Sequence, residues 1–396
     1  MPIPNTGSAR RRVTVSALAA LAVGTGPASL LSATAASAST NPPPSAPIVQ
    51  RISGTDRYAT AIAVSRSRWA AVGQSDPVRG QAGAVVLARG DDFPDALAGV
   101  PLAAYRHAPL LLTEPTMLAS ATLAEIQRIL PADGNHIVYV LGGPAAISPA
   151  IAGELHHAGY QVVRYGGETR YGTALQIAEL GLDNPANIIL ASGETAADAL
   201  VAGPYAAGQN EVAGGKPAAI VLSGTDGINN PAITDPATAA YVRGHLQEQA
   251  STIPACQKSI AAIGFPAFVA LNKFVASTAP AMKMPCSMGY AGTDRYETAA
   301  LLEPAVGPGT NVGVASGTQF PDALSGAAYE ASFQQPLLLT DPKTLPSFTA
   351  VALTYAFNRS QEFGAVPFTV TVLGGTAAVS QKVEAGIAAA AHAQIQ

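Results

Sequence analysis

Short, uninterrupted apolar runs recur along the chain, and between them apolar residues return at helical spacing. Ala84 to Ala88, Pro109-Leu-Leu-Leu-Thr113 and His136-Ile-Val-Tyr-Val-Leu141 have strand length without polar alternation, the pattern of strands covered on both faces. Tyr58, Ala61, Ile62, Ser65, Trp69 and Val72 fall on one face of a helix spanning Tyr58 to Val72. A second helix is expected from Pro94-Asp95 to about Ala104, and a third from Ala119 to Leu130, where Pro131 stops it. Ser148-Pro149 opens a fourth, with Ser as N-cap and Pro at the first helical position. A short strand, Ile48 to Ile52, precedes the first helix, and Gln161 to Arg164 follows the last. Buried strands alternating with helices predict an α/β fold, a parallel sheet with helices on both faces and right-handed connections.

This pattern is written three times. Arg51-Ile-Ser-Gly-Thr-Asp-Arg57-Tyr58-Ala-Thr-Ala61 returns as Arg164-Tyr-Gly-Gly-Glu-Thr-Arg170-Tyr171-Gly-Thr-Ala174 and as Tyr290-Ala-Gly-Thr-Asp-Arg295-Tyr296-Glu-Thr-Ala299. A second landmark follows each opening: Gly90-Asp-Asp-Phe-Pro-Asp95-Ala-Leu97, Gly193-Glu-Thr-Ala-Ala-Asp198-Ala-Leu200 and Gly317-Thr-Gln-Phe-Pro-Asp322-Ala-Leu324. The period is too long for a thin solenoid, so each copy is expected to be a small domain. The divisions read from the sequence are 48–163, 164–288 and 289–396. The second copy deviates: Asp198 lacks a preceding Phe-Pro, Asn229-Asn-Pro231 adds a turn, and Ile260-Ala-Ala-Ile-Gly264 replaces the Leu-Gly-Gly strand end.

Composition narrows the function. Charged residues are 12% of the 396 and the net charge is -4, which argues against nucleic-acid or anionic-lipid binding through bulk charge. Any anionic partner must be held locally. Arg10-Arg11-Arg12, the apolar Val13 to Val23 and Ala36-Ser37-Ala38 read as an export signal over 1–38. Residues 39–47 read as a Pro-rich linker, and no membrane insertion is expected after cleavage. Cys256 and Cys286, the two cysteines of an exported chain, are expected to pair. No metal-ligand spacing is present, nor a Gly-x-Ser-x-Gly elbow, a Walker loop, His-Glu-x-x-His or Gly-x-Gly-x-x-Gly, so neither metal nor cofactor is expected.

The R-Y-x-T-A openings, the F-P-D-A-L turns of copies one and three, the P-L-L-L-T strands and the V-L-G-G strand ends together resemble the cell wall binding repeat 2 family. The resemblance covers nearly all of Arg51 to Gln396 and is partial in the second copy. It implies three Rossmann- or Toprim-like domains in a pseudo-threefold arrangement. It also implies non-covalent attachment to an anionic wall polysaccharide or teichoic-type polymer. The expected product is a secreted, surface-attached binding protein without catalysis. Such repeats also stand beside autolysins and in surface-layer proteins. A wall hydrolase or its accessory subunit, and a surface-layer or adhesion component, are therefore the alternatives.

Candidate ligand residues follow from chemistry and position. Arg57, Arg170 and Arg295 offer planar forks for phosphate or carboxylate, or else pair locally with Asp95, Asp198 or Asp322. Those aspartates stand at helix starts, where they either cap free N–H groups or meet a ligand outside the strand ends. Thr113, Thr340, Gly142, Gly143, Gly374 and Gly375 share that end of the sheet, the glycines offering bare N–H groups or serving turns at positive φ. Tyr58, Tyr171 and Tyr296 are read as packing between helix and sheet.

Overall fold

The computed structural model describes residues 46–209, 215–227, 230–251, 260–278, 287–307, 311–362 and 367–396, without the side chains of 248–251, 287 and 288. The export signal, most of the Pro-rich linker, Cys256 and Cys286 lie outside the described residues.

After the opening strand β1 (Ile48–Ile52), the first copy runs α1 (Arg57–Arg68), β2 (Ala84–Arg89), α2 (Gly99–Tyr105), β3 (Leu110–Thr113), α3 (Ser120–Ile129), β4 (Ile137–Leu141) and α4 (Pro149–His157). The second opens on β5 (Gln161–Tyr165) and runs α5 (Arg170–Gln176), β6 (Ile188–Ser192), α6 (Ala196–Gly208), β7 (Ala219–Thr225), β8 (Pro231–Ala232), α7 (Pro236–Ser251), β9 (Ile260–Ile263) and α8 (Phe265–Thr278). The third opens on β10 (Ser287–Tyr290) and runs α9 (Arg295–Leu302), β11 (Asn311–Ser316), α10 (Phe320–Ala331), β12 (Leu337–Thr340), α11 (Ser347–Glu362), β13 (Thr369–Leu373), α12 (Gln381–Ala390) and β14 (Gln394–Ile395).

Local chemistry sets the boundaries. Asp56 is extended and its carboxylate accepts from the Ala59 N–H at 2.8 Å, starting α1, while Arg66 and Arg68 complement the dipole in its last turn. The helix ends at Arg68 rather than Val72, because Trp69 turns extended and pairs with Gly80, burying its indole. Ser148 caps α4 and Ser380 caps α12, accepting from Ala150 and Val383. The helix expected from Pro94 is divided: a 3₁₀ turn, Pro94–Ala96, precedes α2, and Pro101 has no N–H to return to Leu97.

The three copies repeat one sheet order, β3-β2-β4-β5, β7-β6-β9-β10 and β12-β11-β13-β1, with every one of these neighbours parallel. Each sheet is closed by the strand that opens the following copy. The last is closed by the first strand of all: β1 pairs with β13 from Ile48 opposite Thr369 to Ile52 opposite Leu373. The sequence repeat and the sheet are thus out of phase by one strand, and that offset turns a tandem array into a ring. β14 adds a short parallel edge beyond β1, and β8 an antiparallel edge to β7.

Helices α2, α6 and α10 pack on one another at the centre; the Asp-Ala-Leu segments open α6 and α10 and, in the first copy, form the 3₁₀ turn before α2. The apolar strands lie beneath them; Val85, Leu190 and Val314 are fully buried, as their uninterrupted apolar runs require. These are three Rossmann-like α/β units with parallel sheets about a pseudo-threefold axis. Among the described residues no helix is long and apolar enough to cross a membrane.

Candidate functional site

The strand order places a topological switch point between β2 and β4 and at its two counterparts. There the chain leaves neighbouring strands toward opposite faces of the sheet and opens a crevice beyond their carboxyl ends. Both sequence landmarks and both glycine pairs arrive at this end.

The first feature is a glycine turn gripped by an Arg-Tyr pair. A Cβ on Gly90 would stand 2.7 Å from the Tyr58 ring and 3.3 Å from Arg57 Cδ, and Gly193 and Gly317 are pressed in the same way by Tyr171 and Arg170 and by Tyr296 and Arg295. A side chain there would displace the tyrosine ring. Arg57 Nη1 donates to the Gly90 carbonyl at 2.5 Å, and Arg295 Nη1 to Gly317 at 2.5 Å; Arg170 Nη1 donates to Gly193. Among the described residues no ion pair joins these arginines to Asp95, Asp198 or Asp322, so the local Arg–Asp pairing is not formed. One guanidinium nitrogen is fixed, and no protein acceptor among the described residues takes the remaining donors. The tyrosines are half-buried between helix and turn, and Tyr171, donating to Glu194 at 2.6 Å, is pushed up to about 12 by burial and that carboxylate.

The second feature joins successive copies. Asp95, Asp198 and Asp322 sit within the first helical turn, and none caps it: the N-cap residues Phe93, Thr195 and Gln319 accept no side-chain cap bond. The capping is done one element away, by Asp56, Thr169 and Asp294 at the starts of α1, α5 and α9. Asp95 instead accepts from Thr173 of the next copy, Oγ1 to Oδ1, at 2.6 Å, while the same Oγ1 accepts from the Gly167 N–H at 3.0 Å. Across the ring closure Thr60 holds Asp322 and accepts from Gly54 N–H at 3.1 Å. At the remaining junction Thr298 takes the Gly292 N–H at 3.1 Å but donates to the Asp294 carbonyl, leaving Asp198 without it. The carboxyls respond. Burial raises Asp322 against the Thr60 bond and the Arg57 charge, whereas Asp198, opposed only by Arg295, rises to about 6.

Gly142, Gly264 and Gly374 complete the constellation. Each has positive φ (103°, 86° and 107°), and each lies where a Cβ would strike the carboxylate of Asp95, Asp198 or Asp322. Their N–H groups are spent on the strand of the next copy, donating to Tyr165, Tyr290 and Ile52. Arg164 and its counterpart Arg51 lock the glycine carbonyls, each at 2.7 Å to Gly142 and Gly374.

Between the first and second copies these groups border a cleft of about 490 Å³, where Asp95, Gly143 and Arg170 meet Arg89, Glu168 and Glu194. Asp322, Gly374, Gly375 and Arg57 occupy the matching places at the ring closure, and Arg295 lines a separate cleft near the axis. Thr113 and Thr340 are fully buried, with hydroxyls turned to the backbone carbonyls of Glu114 and Asp341, so they shape the turn without facing a cleft. The residues that reading by type passed over are Thr60, Thr173 and Thr298. Their signal was present, since the Thr of R-Y-x-T-A recurs in all three openings. Among the described residues no cluster of His, Cys, Asp and Glu is arranged to hold a metal.

Known proteins agree with this organisation. The Cell wall binding domain 2 (CWB2) family matches residues 51–152, 164–261 and 290–384, and the chain belongs to it. Over 336 residues it is 26% identical to the N-acetylmuramoyl-L-alanine amidase LytC of Bacillus subtilis, covering 85% of this chain and 57% of that protein. Over 349 residues it is 26% identical to the Amidase enhancer of the same organism, covering 86% of this chain and 40% of that one. The chain therefore spans about half the length of these curated relatives. Among solved structures, Cwp8 from Clostridium difficile superposes with TM-score 0.66 at 23% identity, over 87% of this chain and 52% of that one. Cwp6 from the same organism gives 0.61 at 19%, over 86% and 48%. At that identity the likeness is one of fold.

Proposed function

We propose that this CWB2 protein is an exported, non-catalytic binder that attaches without covalent bonds to an anionic polymer of the cell wall. Its junction clefts hold acidic sugars or phosphates of that polymer. The observation that supports this most is the repetition of one constellation at the switch points, a fixed arginine with unused donors gripping a glycine turn in all three copies, with the aspartate tied to the next copy at two of them. In the cleft of about 490 Å³, Asp95 is occupied by Thr173, Glu194 by Tyr171, and Arg89 is bridged to Asp91 at 2.7 Å. Arg170 and Glu168 remain free to meet a ligand, one for an acidic group and one for sugar hydroxyls. That commitment of the acids also speaks against a glycosidase-type carboxylate pair. The same reading has the signal over 1–38 removed on export and Cys256 joined to Cys286, so intact mass before and after reduction checks the staple.

Purified protein mixed with isolated walls and sedimented provides the test. Losing a charged contact is worth about 1.5–3 kcal/mol, roughly tenfold or more in affinity. Arg170→Gln is expected to weaken retention by that factor, and the triple variant with Arg57→Gln and Arg295→Gln to abolish it, with melting temperature followed alongside. Retention of the folded triple variant at the level of the parent would overturn the reading. Similarity to an amidase and an amidase enhancer supports a second one, a part in wall hydrolysis; clearing of peptidoglycan in a renaturing gel would favour it.

A further inference from the structure

The axis itself carries an asymmetry. Two of the three copies place a phenylalanine where the central helices begin, and Phe93 and Phe320 meet edge to face, with centroids 5.3 Å apart and planes at 67°. The matching residue of the second copy is Ala196. Where the third ring is missing, a cleft of about 200 Å³ opens, walled by Phe93 and Phe320, floored by Leu200 and Leu339, and edged by Arg295.

Arg295 differs from its counterpart Arg170. The Arg170 guanidinium lies over the Phe93 ring, 5.9 Å from its centroid, so the ring covers one face of the cation while its in-plane donors stay open to the junction cleft. Arg295 has only Ala196 at the corresponding place. It is exposed and oriented by its bond to Gly317, and its remaining donors have no acceptor among the described residues. Helix α6 also starts here, and its N-cap Thr195 makes no side-chain cap bond, unlike Asp56 and Asp294 at α1 and α9. Glu194, the carboxylate on the rim, is taken by Tyr171. The buried Asp198 lies in the field of Arg295, though no ion pair joins them among the described residues.

We infer that this axial cleft binds a small organic anion, a flat apolar group about the size of the missing ring carrying a carboxylate or phosphate that Arg295 receives. The two rings and two leucines exclude water around the apolar part, and the arginine with the uncapped first turn of α6 takes the charge. The inference shares Arg295 with the wall-binding reading, but the apolar part of the cleft beside Ala196 lies outside the junction cleft of Arg170.

Calorimetric titration of the full chain with phenylphosphonate and with phenylacetate tests it, inorganic phosphate and acetate serving as comparisons. The expected result is one saturable site for a phenyl anion, at least tenfold tighter than its inorganic or methyl counterpart; which of the two binds tighter identifies the charged group. Ala196→Phe fills the cleft and is expected to weaken binding at least tenfold while leaving retention on walls unchanged. Asp198→Asn, which removes a negative charge from the field of Arg295, is expected to strengthen binding severalfold. Should Ala196→Phe not fold, Ala196→Val, a smaller filling, is expected to give a partial loss. No saturable phenyl-anion binding, or binding unaffected by filling the cleft, overturns the proposal.

Discussion

The second copy and its two neighbours are built to one plan, and the places where it departs show what the plan is for. Copies one and three contribute Phe93 and Phe320 to the axis and have their aspartates held by a threonine of the following copy. The second contributes Ala196, and its Asp198 is 8% exposed with no such bond. The fold survives both losses, because the glycine at positive φ, the strand order and the Arg-Tyr grip on the Gly193 turn are retained. Backbone geometry is therefore what the plan cannot lose. The side chains that close the axis and neutralise the aspartate are adjustable, and in the second copy their absence leaves an open cleft and a titratable carboxyl.

The comparison breaks most completely at the ring closure. Every sheet borrows its last strand from the next copy, but only the third borrows it from the opposite end of the chain. Removing 46–52 takes away the strand between β13 and β14 and leaves the β13 edge of a parallel sheet open. The third sheet is expected to lose its cooperative melting transition by circular dichroism. Supplying the same strand after residue 396 through a flexible linker is expected to restore it, since pairing and not chain order holds the ring.

Next in size is the carboxyl without its threonine. Burial raises Asp198 from 3.8 to about 6 in the folded chain, so the folded state holds a proton that the unfolded state has released between those values. The stabilisation from that proton is complete below 3.8, falls as pH rises and is gone above about 6, a difference of about 3 kcal/mol. Asp198→Asn is expected to be the more stable protein at neutral pH, by up to that amount, with the difference closing toward pH 4. Urea denaturation of both proteins across this range reads it. Glu303, raised to about 7 by burial against the Arg359 charge, gives both proteins a further slope of the same sign, which the comparison cancels.

Much of this was legible in the chain, for identifiable reasons. Uninterrupted apolar runs such as Leu110 to Leu112 mark buried parallel strands because nothing else needs apolar residues on both faces. The Ser-Pro starts of α4 and the Ser380 cap of α12 were visible because capping is local in sequence. What was not legible is what reaches between copies. Asp95 has plausible partners in its own helix, and only the fold shows that its donor is Thr173, 78 positions away. The assignment of β1 to the last sheet is of the same kind: its apolar pattern predicts a strand but not which sheet receives it. Arg57, Arg170 and Arg295 were picked out by chemistry, yet their bond goes to a backbone carbonyl that residue type does not mark; the recurring Gly90, Gly193 and Gly317 mark only the space the tyrosine rings need.

The threonines sharpen the contrast between junctions. Thr173→Val removes the donor to a charged carboxylate and the acceptor of the Gly167 N–H; Thr298→Val loses the equivalent acceptor, and its donor goes only to a neutral carbonyl. A hydrogen bond to a charged group contributes about 1.5–3 kcal/mol against about 1 for a neutral one, so Thr173→Val is expected to cost about 1–2 kcal/mol more. Equal losses in chemical denaturation would mean that the Thr173–Asp95 bond adds nothing across the junction.

The smallest effect separates the two copies that look alike. Ser148 and Ser380 both cap the helix after a glycine strand end, and both are anchored by their own N–H, to Pro115 and Pro342. Ser148 Oγ takes the Ala150 N–H at 3.0 Å, whereas Ser380 Oγ takes the Val383 N–H at 3.4 Å, at the edge of a useful bond. Replacing an N-cap serine by alanine costs about 1 kcal/mol when the cap is well formed. Ser148→Ala is expected to show that loss, and Ser380→Ala a few tenths of it, with the backbone anchor untouched in both. If the two variants melt alike, the longer distance carries no energetic meaning, and copies one and three are equivalent at their caps as they are at the axis.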